Sequence, residues 1–248
     1  LVEKLLYRPF FIALVAVFII TLVPIAEAEH PDVAFYVAQK FAFHEQNADG
    51  KITTLGYYYN GEVFRKPEGI IHSATMTGPN ENGKQYELKD KAYLLVAEGG
   101  PLNSLAELDA AFPNGHYRFD IVTAHGEINN RILKLAGKGG NTDIAPAPKI
   151  TLYQNNQIVS PNAVNADLDL LIKWSPFTIG EADTNGILDD VITVVTEDCH
   201  GKTINRTPLP FYGDKPAFTF RDTQHTVPAG TLKSGRRYRP RVEHINIV

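Results

Sequence analysis

From Val33 onward the chain alternates short apolar or β-branched runs with clusters of Gly, Pro, Asn and Asp, a pattern that predicts strands separated by turns. Val33 to Glu45, rich in Val, Phe and Tyr, predicts a first strand. Asn47-Ala48-Asp49-Gly50 is a turn signal, and Lys51 to Asn60 predicts the returning strand of a hairpin. Asn60-Gly61 is a second turn signal, of the type favoured in two-residue hairpins. Further strands are expected at His72 to Thr77, Gln85 to Val96, Tyr117 to Thr123 and Ile128 to Leu135. One helix interrupts them. Ser104-Leu105-Ala106-Glu107 is a capping box, in which the Ser and Glu side chains satisfy amides that the first helical turn leaves open. Leu105, Leu108 and Ala111 then recur at helical spacing, and Phe112-Pro113-Asn114-Gly115 ends the helix.

Lys138 to Pro148 concentrates Gly and Pro and carries no period, which predicts a linker between a β-rich domain at 29–145 and a second at 146–248. Beyond it, strands are expected at Lys149 to Tyr153, Leu168 to Trp174, Val191 to Thr196, Thr203 to Thr207, Ala217 to Phe220 and Arg237 to Ile247. Val191 to Thr196 is continuously β-branched, as befits a strand covered on both faces. The fold class that follows is all-β: two β-sandwich domains, one short helix in the first, and an N-terminal hydrophobic leader helix.

The leader changes the picture of where the chain works. Lys4 and Arg8 precede an apolar run from Phe10 to Val23 broken only by Thr21; Pro24 and Ala26-Glu27-Ala28 follow. That is the layout of a secretory signal peptide over 1–28. The alternative is a retained membrane anchor at 5–26, short for a span of about 20 residues and therefore dependent on local thinning of the bilayer. Either way the chain is expected to be exported, to a periplasm or a cell surface. Cys199 is the single cysteine, so no intramolecular disulfide supports the fold, and a bacterial exported protein fits better than a disulfide-rich animal module. Hydrophobic residues make up 44% and charged residues 21%, as in an ordinary globular chain, and the net charge of −4 argues against a nucleic-acid partner.

Several phrases in the second half point to one architecture. Pro148 with the strand after it, Leu170-Leu171-Ile172-Lys173-Trp174-Ser175-Pro176, and Leu232-x-x-Gly235-x-x-Tyr238-x-x-x-Val242-x-x-x-Asn246 occur in the order of a first, second and sixth strand. Together they resemble a fibronectin type III module of secreted bacterial proteins. Val227-Pro228-Ala229-Gly230-Thr231-Leu232 and Ala111 to Tyr117 are similar to phrases common in such proteins. The resemblance implies a core Trp174 and a Tyr238 that opens the sixth strand. Val248 stands where that strand would end, so the sandwich is expected to lack its last strand and to leave the sixth with an unpaired edge. Pro240, without an amide donor, suits such an edge. With Tyr238, Pro240 and Val242 facing in, Arg237, Arg239 and Arg241 face out. They either protect the edge, or the first domain covers it; or else a partner chain or a strand of the first domain adds to it, with the basic face suited to an acidic partner or anionic lipid headgroups.

Candidate chemistry is sparse. Asp183, Asn185, Asp189 and Asp190 place four side-chain oxygens within eight residues, a candidate Ca²⁺ cluster whose plainer reading is a polar turn. Asn47 to Ile52 lacks the closing Glu of a calcium loop. Tyr57-Tyr58-Tyr59 could form an aromatic platform, although alternation sends at least one face into a core. Cys199-His200 reads as a turn rather than half of a metal site, the eight histidines are scattered, and no nucleophile elbow, phosphate loop or dinucleotide fingerprint occurs. The sequence therefore favours a non-catalytic exported interaction or assembly protein without a cofactor, such as an accessory subunit tethered to a membrane complex. The alternative is a carbohydrate-binding or carbohydrate-active surface protein using the tyrosines and a pair of carboxylates.

Overall fold

The computed structural model describes residues 30–79, 83–91, 93–135, 144–180, 190–208 and 218–246; the side chains of Asp190, Ile245 and Asn246 are outside the described set. The fold is all-β, in four antiparallel sheets. In the first half, β1 (Val33–Gln46), β2 (Ile52–Arg65), β6 (Leu94–Leu102) and β5 (Lys89–Lys91) form sheet I in the order β1-β2-β6-β5. Sheet II has the order β4-β3-β7-β8, from β3 (Ile71–Thr77), β4 (Gln85–Glu87), β7 (Gly115–Thr123) and β8 (Gly126–Leu135). Tyr59, Val63 and Leu95 from sheet I pack against Met76, Phe119 and Ile121 from sheet II, which makes this half a sandwich.

The β1–β2 hairpin turns where expected. Asn47 Oδ1 accepts from the amides of Asp49 (3.1 Å) and Lys51 (2.9 Å), and Gly50 takes φ +81°. Asn60-Gly61 is not a turn: β2 runs through it to Arg65. Gly61 instead lies under Met76, whose Sδ would sit 2.5 Å from a Cβ there, so the glycine serves a close approach within the core. The expected strand Gln85 to Val96 is three pieces. β4 belongs to sheet II and β5 to sheet I, and the chain crosses between them at Leu88, which is buried in the corner.

The helix α1 (Leu105–Ala111) starts as the capping box requires. Ser104 Oγ accepts from the Glu107 amide at 3.2 Å, while the Glu107 carboxylate reaches one residue further back, to the Asn103 amide at 2.9 Å. Leu108 is fully buried, but Ala111 is exposed and Phe112 takes the next core position, stacked on Tyr59 at 4.3 Å. Two buried polar groups tie this sandwich together. Lys40, with a side chain only 2% exposed, donates to Asp109 on α1 (2.6 Å) and to Asn114 (2.7 Å). Asp32, 1% exposed, accepts from the Ile70 amide (2.9 Å) and from the backbone and ring of His125 (3.3 and 2.9 Å), which joins the start of β1 to the loop before β3 and to the β7–β8 turn.

The second half is also sandwich-like. Sheet III has the order β10-β9-β11-β14, from β9 (Ile150–Gln154), β10 (Gln157–Ile158), β11 (Leu170–Trp174) and β14 (Gln224–Val227). Sheet IV is β13-β12-β15, from β12 (Asp190–Asp198), β13 (Thr203–Arg206) and β15 (Tyr238–Asn246). Leu170, Ile172 and Trp174 meet Ile192, Val194 and Val242 in the core between them. Trp174 Nε1 donates to the Asp222 carbonyl at 3.0 Å, and the Lys233 amide donates to the Tyr238 hydroxyl at 2.9 Å. Ile144 packs on the first core and Ala145 on the second.

Candidate functional site

Sheet I has a second face, turned away from its own core, and this face is not open to water. Val37 on β1, Glu62 on β2, and Leu94 and Val96 on β6 are all buried, yet none belongs to the core between sheets I and II. The outward face of sheet IV behaves alike: Val191 and Thr193 alternate with the core residues Ile192 and Val194 and are buried as well. Val37, Glu62 and Leu94 of the first face and Thr193 of the second line one groove of about 1950 Å³ between the sandwiches. This explains the β-branched run at 191–196, which has a sandwich core on one side and the groove on the other. Gln46 pins one end of the seam. Its side-chain amide donates to the Ile150 carbonyl (2.7 Å) and accepts from the Ile150 amide (2.8 Å), as a neighbouring strand would.

The groove opens along β15. Outward side chains grow more exposed from Glu243 (32%) through Arg241 (37%) to Arg239 (72%). Arg239 pairs with Glu197 at 2.9 Å. Arg241 pairs with Glu197 at 3.5 Å and with Glu243 at 2.8 Å, and the Thr193 hydroxyl donates to Glu243. Arg237 is exposed at the head of the strand. On the other side of β15, Tyr238 and Val242 pack in the second core, so the inward-outward alternation holds. Among the described residues β15 has one strand partner, β12, in register from Asp198 opposite Tyr238 to Asp190 opposite Asn246. The lips of the second sandwich beside β15 are apolar and half-buried: Leu152, Val159, Val164 and Ala166 on one side, Tyr238 on the other, all lining the same groove.

At the far end of sheet I, the ring of Tyr58 stacks on Phe41 (5.6 Å) and meets Phe43 edge-on (4.8 Å). The three consecutive tyrosines therefore divide. Tyr59 is fully buried with its hydroxyl on Met76 Sδ at 3.0 Å, Tyr57 packs against the same core, and Tyr58 alone faces the groove.

Glu62 stands in the middle of the covered face of sheet I, between Val37 and Val96 on the flanking strands. Burial raises its carboxyl, hydrogen bonds from Asn60 (3.1 Å) and Gln39 (3.3 Å) partly oppose that, and the charges of Glu243 and Glu98 raise it further, to about 7. His244, packed on Phe177 at 4.7 Å, is lowered to about 4 by burial, and neither ring nitrogen has a hydrogen-bond partner. Glu62 carried no sequence signal of its own, because Asn60-Gly61 before it read as a turn.

The proposed calcium cluster lies mostly outside the described residues. Asp183, Asn185 and Asp189 are not described, and Asp190 is the first residue of β12. Among the described residues no group of three or more His, Cys, Asp or Glu is placed to hold a metal ion. Cys199 is exposed in the β12–β13 turn, 3.4 Å from His200 Nδ1. The leader is also outside the described residues; among those that are described, no helix is long and apolar enough to cross a membrane. No protein-family model matches the chain, and no curated protein matches it.

Proposed function

We propose that this chain is a non-catalytic, exported interaction or assembly protein that captures an extended strand of a protein partner along β15. The observation that carries the reading is that edge: a nine-residue strand with one neighbour among the described residues, beside half-buried apolar lips. A strand added there would bond its backbone to β15 and lay alternate apolar side chains between the lips. The exposed head of β15, with Arg236, Arg237 and Arg239, favours a partner that is acidic at its outward positions. We further assign the second sandwich to the fibronectin type III type. The assembly of β9, β11 and β14 in one sheet and β13, β12 and β15 in the other supports this, as do the core Trp174 and the Tyr238 hydroxyl bonded back to the loop before its strand. The leader would deliver the chain to a periplasm or cell surface, or hold it in the membrane as an accessory subunit.

The test is a photo-cross-linking amino acid in place of Pro240, in the full-length chain in its native membranes. One discrete heterologous product, lost with Arg237→Glu plus Arg239→Glu, is the expected result. Products containing only a second copy of this chain, or none, would overturn it.

One observation favours the carbohydrate reading as a second possibility: Phe41, Phe43 and Tyr58 border the groove that also holds Glu62 and Glu243. Aromatic rings beside carboxylates are what a sugar site uses. That reading requires soluble oligosaccharides to bind, and to stop binding when Tyr58 and Phe43 become Ala.

A further inference from the structure

The covered faces of the two sandwiches bring two carboxylates toward each other. Glu62 projects from the centre of sheet I and Glu243 from β15, both into the same groove. Among the described residues, the groups around Glu62 do not supply a cation to it. On β1 its neighbour is the neutral Gln39, while Lys40, one residue on, turns to the opposite face and bonds Asp109 and Asn114. On β2 it is met by Asn60, and on β6 by Glu98, itself 3.8 Å from Lys91. From sheet IV come Glu243 and the Thr193 hydroxyl that bonds it. Arg241 is committed to Glu243 and Glu197, Arg239 pairs with Glu197, Arg206 lines the groove on β13, and His244 points the other way, onto Phe177.

We propose that the seam between the two sandwiches is a proton-gated contact, closed when Glu62 carries a proton and loosened when it is ionised opposite Glu243. The physical reason is asymmetric. A neutral carboxyl between Val37 and Val96 needs only the amide bonds from Gln39 and Asn60. A carboxylate there is desolvated, and Glu243 repels it. Opening the seam returns Glu62 to water at the cost of the apolar contact. The carboxyl is raised from 4.5 to about 7, so the closed form holds more protons between those values. The seam is then firmest below 4.5, weakens as pH rises through the window, and levels off above 7. The closed-to-open ratio falls by roughly three-hundredfold from below that window to above it. This device is independent of any partner at β15.

Two measurements on the full chain test it. Side-chain carboxyl NMR should find Glu62 titrating near 7; a midpoint in the ordinary carboxylate range would overturn the proposal. Small-angle scattering from pH 5 to 8 should show the wild type becoming more extended while Glu62→Gln stays compact. Glu243→Gln should lower the Glu62 midpoint and shrink the pH-dependent extension without removing it. A radius of gyration that does not change with pH, or that changes alike in wild type and Glu62→Gln, rules the gate out.

Discussion

The two sandwiches handle burial differently. The first closes a core of stacked aromatics, Tyr59 on Phe112 and beside Tyr117, and gives its deeply buried charges partners from distant parts of the chain: Lys40 reaches α1, and Asp32 joins three loops. The second packs aliphatics around Trp174 and Phe177 between four strands and three. It leaves Thr196 Oγ1 and both nitrogens of His244 without partners, all on the inner face of the sheet that contains β15. Unpaired buried polar groups are costly, and this sheet carries them on its central strand β12 and on β15. The first half satisfies its buried charges internally, and the second carries buried polar atoms without hydrogen-bond partners.

Five substitutions at three places test that contrast, beginning with the most damaging. Asp32→Ala should cost the first sandwich the most, because it strands the Ile70 amide and unties three segments at once. His125→Ala should cost less, since that ring is 63% exposed. The Ile70 amide, then Thr123 and His125, hold the Asp32 carboxyl well below the usual range. A depressed carboxylate stabilises the fold above its unfolded pKa of about 3.9 and loses that contribution as pH falls through and below it. The wild-type advantage over Asp32→Ala in thermal melts should therefore shrink toward pH 2. An advantage that persists unchanged there would assign the effect to packing instead.

Next, Asp109→Ala should cost about 3 kcal/mol in urea unfolding, because it removes the countercharge of an ammonium buried to 2%. Lys40→Met should cost less, since Asp109 is 41% exposed and water can take over its solvation. Equal losses from the two would mean that the pair acts through shape rather than charge.

The smallest effect has the opposite sign. His244→Leu should stabilise the second sandwich by about 1 kcal/mol at pH 7, having replaced two unpaired nitrogens with an apolar group. The gain should be larger at pH 5. The imidazole titrates near 4 in the fold against an ordinary 6.5, so the wild type loses stability as pH falls through that window. Denaturation midpoints at the two pH values measure this, and a loss at both would show that the imidazole packs better than its orphan atoms imply.

Features set by a few adjacent residues could be read from the chain. Ser104 and Glu107 announced α1, Asn47 to Gly50 announced the first hairpin, and the alternation from Arg237 to Val242 placed the arginines outward. Where local chemistry served a distant contact, the same reading failed. Asn60-Gly61 has the composition of a turn but lies mid-strand, because Gly61 makes room for Met76. Gln85 to Val96 has the composition of one strand but divides at Leu88 between two sheets. The groove shows the same limit. Tyr58 could be placed on one of two faces by alternation, but nothing adjacent to Glu62 marks it as buried.

Periodicity, turn chemistry and the run at 191–196 were enough to establish an all-β chain, since strands, caps and tight turns depend on side chains a few positions apart. Which sheet faces are covered, and by what, depends on residues more than a hundred positions apart. The meeting of Gln46 with Ile150, the groove shared by sheets I and IV, and the burial of Glu62 are of this kind. Such contacts leave no local pattern, because an outward-facing Glu on a strand looks the same whether water or another domain lies opposite. The environment of Glu62, and with it the chemistry of the seam, was therefore settled by packing.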